Sequence, residues 1–230
     1  MHAEHFDQQA ATWDDDPDKV RRARDVAEAV ATAVPLTGRE RMLEYGAGTG
    51  LVSQALQDRV GPVTLADTLA GMRSVMEGKV AAGVLPRDAR VVSLDVEMQQ
   101  VPQERFDLIV GSLVLHHVQQ LDAALAALAD LLTPGGHLCI ADLDSEDGSF
   151  HQHDFDGHHG FDRVALAADL EAVGLTDVRV EDCTTIEKDG GTYRVFLATA
   201  RRALADTGPS TEPVGEVAPG SPGEPSGAGR

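Results

Sequence analysis

Glu44-Tyr45-Gly46-Ala47-Gly48-Thr49-Gly50 is the stretch on which the fold turns. It closes the short apolar run Met42-Leu43 and leads into an amphipathic pattern beginning near Leu51, so it reads as strand, glycine turn and helix. The glycines let the backbone approach a ligand closely, and Glu44 sets a carboxylate at the strand end. A dinucleotide fingerprint, G-x-G-x-x-G, would need its third glycine or alanine at position 51. This chain has Leu51 there. A turn offering a carboxylate and close backbone, without extra room for a pyrophosphate, suits a ligand that bears an ammonium group and no phosphate.

Outward from this turn, apolar runs alternate with helical patterns. The expected order is strand 42–46, helix 51–60, strand 63–67, helix 69–83, strand 90–95, strand 106–112, helix 120–132, strand 136–143 and helix 161–173. Two last segments, Thr176 to Ile186 and Tyr193 to Arg201, are joined by Lys188-Asp189-Gly190-Gly191 and read as a hairpin. The alternation predicts an α/β fold with a Rossmann-like, mostly parallel seven-stranded sheet, helices on both faces and an antiparallel C-terminal hairpin. Ahead of it, residues 1–40 carry Phe6, Trp13 and a helix over Pro17 to Val34, whose buried face is predicted to be Val20, Ala23, Ala27, Val30 and Val34. This part reads as a helical lid, with residues 41–203 as the core. Residues 204–230 hold Pro209, Pro213, Pro219, Pro222 and Pro225 among Gly, Ser, Thr and Glu, a composition expected to stay disordered.

With 230 residues and 42% hydrophobic content, one sizeable core is expected. No apolar run is long enough to cross a membrane, and no basic, apolar leader precedes a cleavage site, so a cytoplasmic protein without membrane association is expected. Cys139 and Cys183 fall in predicted strands without metal spacing and read as small buried hydrophobes. Thirty-eight acids against 19 Lys plus Arg give a net charge of −19, which argues against nucleic acid as a partner.

Glu44 to Gly50 resembles motif I, E/D-x-G-x-G-x-G, of class I S-adenosylmethionine-dependent methyltransferases. Further stretches follow in that family's order. Val63 to Asp67 with Thr68 and Met72 resembles the D-x-S-x-x-M stretch of the branch that includes ubiquinone and menaquinone C-methyltransferases. Arg90 to Glu97 resembles the third strand with its adenine-contacting Asp; Phe106 to Ser112 with Leu115-His116-His117 resembles the fourth; and Leu131 to Leu138 resembles the LxPGG turn before the fifth. The resemblance covers roughly residues 41 to 200.

It implies a cofactor, S-adenosylmethionine, lying beyond the carboxyl ends of the strands. Glu44 and the backbone of Gly46, Gly48 and Gly50 would face its methionine part, and Asp67, with Thr68 and Met72, its ribose side. Asp95 and the Val96 amide would meet the adenine, while Ser112 and His117 would lie near the sulfonium. Helix capping is the alternative for Asp67 and Asp95. Trp13 is either a contact for the methionine end or an anchor holding the lid to the core. The expected reaction is in-line displacement at the sulfonium methyl by a small-molecule acceptor. The alternative is a non-catalytic sensor or interaction module that binds the cofactor.

The segment 142–159 concentrates four of the nine histidines with six acids. The candidate catalytic groups are Asp147 and His151 in this segment and His117 after the fourth strand, against a reading of the His116-His117 pair as packing and capping. The segment is open to three roles: acceptor recognition, a mobile polar lid, or a divalent metal site. No metal is predicted, because the spacing matches no closed zinc pattern. Methylation on O, S, N or C is left open, as is a monomer or a homodimer.

Overall fold

The computed structural model describes residues 9–98, 103–151 and 155–204. One sheet is built from β1 (Met42–Tyr45), β2 (Val63–Ala66), β3 (Arg90–Val92), β4 (Phe106–Ser112), β5 (Leu132–Leu143), β6 (Leu175–Lys188) and β7 (Gly191–Arg202). The strand order is β3-β2-β1-β4-β5-β7-β6. Strands β1 to β5 run parallel, with Met42 opposite both Val63 and Leu108. Only β7 opposes its neighbours, pairing antiparallel with β5 and β6. The predicted fold class, hairpin included, is the observed one.

All four residues of β1 and of β2 are buried, as expected of central parallel strands covered on both faces. The alternation of side chains sorts the core into two layers. Met42, Leu108, Val110 and Cys139 pack with α1 (Pro17–Ala33), α2 (Leu51–Leu56) and α3 (Ala70–Ala82). On the other face Leu43, Ile109, Leu138 and Ile140 pack with α4 (Leu121–Leu131) and α5 (Arg163–Ala172).

Helix α1 starts where Asp16 accepts the Asp18 N–H and Pro17 occupies the first turn, a strong start signal. Its buried face is Ala23, Val26, Ala27 and Val30, with Val34 buried just beyond; Val26 is fully enclosed and the predicted Val20 is only half-buried. Helix α2 stops at Leu56 instead of 60, because Arg59 N–H turns back to Leu56 O and Gly61 N–H is held by Glu40 O. Strand β3 ends at Val92 instead of 95, after which the buried Leu94 and Val96 turn under the sheet edge. Strand β5 begins at Leu132, earlier than 136, since Leu132 pairs with Phe106 across a register shift. Helix α5 begins at Arg163 because Phe161 is taken by a bridge to Asp144 and Asp162 caps the helix.

Cys139 is buried in β5 and Cys183 half-buried in β6; burial pushes their thiols up to about 12 and about 11. Among the described residues no helix is long and apolar enough to cross a membrane. Phe6, His153, Asp154 and residues 205–230 lie outside the described residues.

Candidate active site

The chain leaves β1 toward β2 and leaves β4 toward β5, so the carboxyl ends of β1 and β4 flank the switch point where open α/β sheets bind ligands. Gly46 and Gly48 both hold left-handed backbone there, with φ of +64° and +56°. A Cβ on Gly46 would collide with the Val114 side chain, so this glycine seats the β1 exit on the segment after β4. A Cβ on Gly48 would meet no protein atom within 4 Å. Its bareness is therefore not explained by packing, and it leaves a cradle that fits close approach of a ligand.

Asp67 is buried at the β2 exit and joins this cradle directly. Its Oδ2 accepts the Gly48 N–H at 2.8 Å and its Oδ1 the Leu69 N–H at 2.8 Å. Arg73 Nη1 donates to the Asp67 carbonyl at 2.9 Å. Tyr45, inside the glycine motif, lies in the field of Asp95, Glu97 and Asp67; burial first, and then these charges, raise its hydroxyl above the usual range. Asp67 and Asp95 thus both act electrostatically on the Tyr45 hydroxyl. Asp95 itself is exposed, its Oδ1 accepting the Glu97 N–H at 3.0 Å, while the Val96 N–H faces the Tyr45 hydroxyl. Thr68 is exposed beside Asp67, Met72 is buried in the first turn of α3, and Ser112 is half-buried at the end of β4.

Glu44 is turned inward. Its Oε2 accepts the Ser53 N–H at 2.8 Å, at the N-terminal end of α2, and burial pushes its carboxyl up to about 7. The structure therefore places Glu44 under the glycine turn, bonded to α2.

A short helical turn, Ala10–Asp15, lies over the same turn from the other side. Asp14 Oδ1 accepts the Thr49 hydroxyl at 2.6 Å, and Asp14 Oδ2 pairs with Lys79 Nζ at 2.5 Å. Lys79 also donates to Thr49 O at 2.8 Å. Trp13, next to Asp14, is half-buried beneath Lys19 Nζ, 3.6 Å from the ring centre. Asp14 and Lys79 carry no motif, and Thr49 fills a variable position of the glycine motif, so nothing in the sequence singled out this trio.

Beyond β4 the backbone makes a sharp turn at Leu113, whose φ is +52°. Leu113 N–H bonds to Ala141 O, and the helical turn Leu115–His117 follows. Asp142, near the end of β5, accepts the Leu115 and His116 N–H groups on Oδ2, at 2.9 and 3.3 Å, and the Leu143 N–H on Oδ1 at 2.8 Å. The same Oδ1 lies 2.6 Å from His116 Nδ1. Rings crowd around His116: His117 at 4.1 Å between centroids, His151 at 5.3 Å and Phe155 at 6.0 Å, with His151 stacked on Phe155 at 3.7 Å. His117 and His151, predicted as catalytic candidates, are brought together here.

Asp147 is not brought to these rings by any recorded contact. It is fully exposed, and its carboxylate, held below the usual range by the hydrogen bonds of Ser149, accepts the Ser149 N–H. The other acids of the segment also have local tasks. Glu146 Oε2 accepts the Gly148 and Phe150 N–H groups, and Asp144 takes a two-point bond from Arg163 at 2.6 and 2.7 Å. Backbone bonds from Ser145 to Phe161, from Glu146 to His159 and from His158 to His116 pin the neck of the segment. Among the described residues no group of three or more His, Cys, Asp or Glu side chains is placed to hold a metal ion. Two open clefts, of about 650 and 510 Å³, lie beside residues 31–38 and between α1 and the β6–β7 hairpin, and neither is lined by the glycine turn.

A seven-stranded sheet with this order, a glycine cradle after β1 and an acid after β2 is the architecture of class I S-adenosylmethionine-dependent methyltransferases. The family model described as a methyltransferase domain matches residues 19–180, and the chain belongs to that family. It is 39% identical over 128 residues to the biotin biosynthesis bifunctional protein BioCD of Bordetella avium, covering 54% of this chain and 26% of that protein. It is 31% identical over 132 residues to the ubiquinone/menaquinone biosynthesis C-methyltransferase of Xanthomonas campestris, covering 56% of this chain and 52% of the other. The chain thus spans about half or less of these curated relatives.

Among solved structures, the N-methyltransferase NodS of Bradyrhizobium japonicum, in complex with S-adenosylhomocysteine, superposes with a TM-score of 0.66 at 20% identity, covering 86% of this chain and 97% of that one. The [4+2]-cyclase SpnF superposes equally well, with a TM-score of 0.66 at 17% identity over 79% of this chain and 81% of that one. These likenesses concern the fold.

Proposed function

We propose that this protein transfers the methyl group of S-adenosylmethionine to a small-molecule acceptor by in-line displacement. The observation that carries the reading is the Gly48 cradle bonded to the Asp67 carboxylate at the strand-order switch. The Asp67 carboxylate at the β2 exit suits a vicinal diol, and Asp95 after β3 an adenine amino group. Gly46, Gly48 and Gly50 make room for the methionine portion, Ser112 and His117 border the sulfonium, and Trp13 closes the site from the strap. When bound, the cofactor supplies a methyl group already activated on sulfur, so the protein's main tasks are alignment and exclusion of water. The rings of His117, Phe150, His151 and Phe155 form the acceptor side.

The acceptor is small and not a nucleic acid, in keeping with the net charge of −19. In this reading Ala10–Asp15 and the helix Pro17–Ala33 form a strap over the cofactor and 41–203 the catalytic core, in a cytoplasmic monomer or homodimer, with no metal invoked. The ubiquinone/menaquinone C-methyltransferase relative supports a small acceptor. A second reading, a cofactor-binding protein that does not transfer methyl groups, draws on the fold being shared with a cyclase. Calorimetry with S-adenosylhomocysteine and NAD, followed by mass spectrometry of a mixed acceptor panel, tests both. Tight NAD binding without S-adenosylhomocysteine binding refutes the proposal; cofactor binding with no methylated product favours the second reading.

A further inference from the structure

We infer that the tip of the β6–β7 hairpin sets the acceptor side of this site. Lys188, helped by Tyr193, is a positioning residue that holds the Phe150 ring in the acceptor wall, and that wall selects an acceptor with a flat aromatic face. This rests on the methyl-transfer reading above. Strand β7 runs against β5, so its first residues lie where β5 ends, on the carboxyl edge of the parallel strands. Leu143 pairs with Val195, and Asp144 N–H still bonds Arg194 O. One residue earlier in β7, Tyr193 stands beside the segment that leaves β5.

The tip itself is short and fixed. Asp189 and Gly190 both have left-handed backbone, with φ of +51° and +82°, as a two-residue turn matched to strand twist requires, and Lys188 pairs with Gly191 across it. Opposite residues in a ladder share a face, as do residues two apart in a strand, so Lys188 and Tyr193 lie on one side of the hairpin. Gly191 leaves room between them; a Cβ there would press on the Tyr193 hydroxyl at 3.0 Å. Both side chains reach the same stretch. Lys188 Nζ donates to Phe150 O at 2.6 Å and lies 4.4 Å from the centre of the Phe150 ring. The Tyr193 ring meets that ring at 79°, 5.0 Å between centroids, and its hydroxyl lies 2.9 Å from Ser149 Oγ.

The hairpin does not depend on these contacts, because its own ladder already closes it. Their effect falls on Phe150, whose ring also stands 4.9 Å from His151 and 6.3 Å from His116. The recorded partners of the Lys188 ammonium are a carbonyl and a ring, both uncharged, in a chain that carries 38 acids. Charge pairing therefore does not set its place. The chain has only six Phe, two Tyr and one Trp, yet Phe150, Phe155 and Tyr193 gather in this one cluster with His116, His117 and His151. Phe150 and His151 are half-buried, so the cluster is not sealed core. Rings held on a rigid support and left partly open form a wall against which a flat acceptor packs.

The test uses the full chain. Carbon–proton correlation spectra of the histidine rings, recorded without any acceptor, report where Phe150 stands, because its ring current acts on His116 and His151. Lys188→Met should move both signals, and Lys188→Arg, which keeps the cation and the donor, should restore them; unmoved signals in Lys188→Met overturn the inference. Binding of 2-naphthol and of decahydro-2-naphthol, the same skeleton without aromatic rings, is then titrated with S-adenosylhomocysteine saturating. The wild type should bind 2-naphthol about 10-fold more tightly than its saturated counterpart. Lys188→Met should weaken 2-naphthol about 5- to 10-fold and leave decahydro-2-naphthol and S-adenosylhomocysteine within about twofold, with Lys188→Arg matching the wild type. Tyr193→Phe, which keeps the ring and drops the Ser149 bond, is the second variant and should weaken 2-naphthol alone, by about 2- to 3-fold. It decides the matter if Lys188→Met does not fold. Equal losses on both probes, or a wild type without preference between them, sink the inference and leave methyl transfer intact. A wild type that binds no S-adenosylhomocysteine brings down the methyl-transfer reading and this inference together.

Discussion

Asp14 Oδ2 lies 2.5 Å from Lys79 Nζ, and through this pair the segment ahead of α1 is fastened to the helix after β2. The Lys79 side chain is 12% exposed and that of Asp14 33%, so the pair is partly shielded from solvent. Thr49 completes the latch from the glycine turn. Because both sides of the cradle meet here, Asp14→Ala should release the strap and speed S-adenosylhomocysteine dissociation by about 3- to 10-fold, with little change in melting temperature. Stopped-flow displacement measures this directly. An unchanged off-rate would show that the strap does not retain the ligand.

Asp67 bonds two backbone N–H groups that no other recorded acceptor serves. Asp67→Ala should weaken S-adenosylhomocysteine binding by about 1.5–3 kcal/mol through lost charge-assisted bonds and a loosened glycine turn. Asp67→Asn should fall between the two. Titration calorimetry with wild-type affinity for the alanine variant would exclude Asp67 from the cofactor site.

Glu44 gives the fold a pH dependence whose sign is set by burial. Its carboxyl rises from 4.5 to about 7 on folding. Below pH 4.5 both states are protonated and the group costs nothing. As pH climbs from 4.5 to 7 the unfolded chain ionises first, so the folded state loses stability; above 7 the loss is complete. At about 1.36 kcal/mol per pH unit it is on the order of 3 kcal/mol. Glu44→Gln, which can still accept the Ser53 N–H, should therefore melt progressively higher than wild type as pH rises through this window. Parallel melting curves from pH 4.5 to 8 would contradict the assignment.

His151 and Asp147 should behave differently despite lying in one segment. His151 stacks on Phe155 within the ring cluster, whereas Asp147 is exposed and bonded to the next turn of its own loop. His151→Ala should lower turnover about tenfold or more while cofactor affinity stays within a few fold. Asp147→Ala should act as wild type. The reverse order of effects, measured with an identified acceptor, would remove the ring cluster from the acceptor side.

What could be read in advance follows from the range of the interactions involved. Sheet class, strand count and the C-terminal hairpin rest on local periodicity and turn chemistry, and each was legible. Glu44, Gly48 and Asp67 were legible as a set because the glycine spacing and the acid after β2 carry a resemblance. Their bonding was not: that Glu44 bonds the first turn of α2, or that Asp67 and Asp95 both act on Tyr45, depends on contacts between separate segments. Asp14 with Lys79, 65 positions apart, and His116 with Asp142, 26 apart, leave no trace in any short window. The acids of 142–159 were readable only as a dense cluster with several open roles. Which tasks they perform depends on distant partners: Asp144 bonds Arg163, and Glu146 takes neighbouring N–H groups to hold the loop.

The position of β7 has a consequence for how the chain must be assembled. It is the last strand in sequence but lies inside the sheet, between β5 and β6. As the polypeptide emerges from the ribosome, β6 is available first and has no partner to pair with, since β5 and β6 are not neighbours. Until Gly191–Arg202 appears, the long edge of β5 is bare, with Leu138, Ile140 and Leu143 not yet covered by the final hairpin. Such an unpaired edge is open to pairing with another nascent chain. Stalled translation within β6 therefore exposes the vulnerable state, and chaperone dependence should peak at chain lengths ending just short of Gly191.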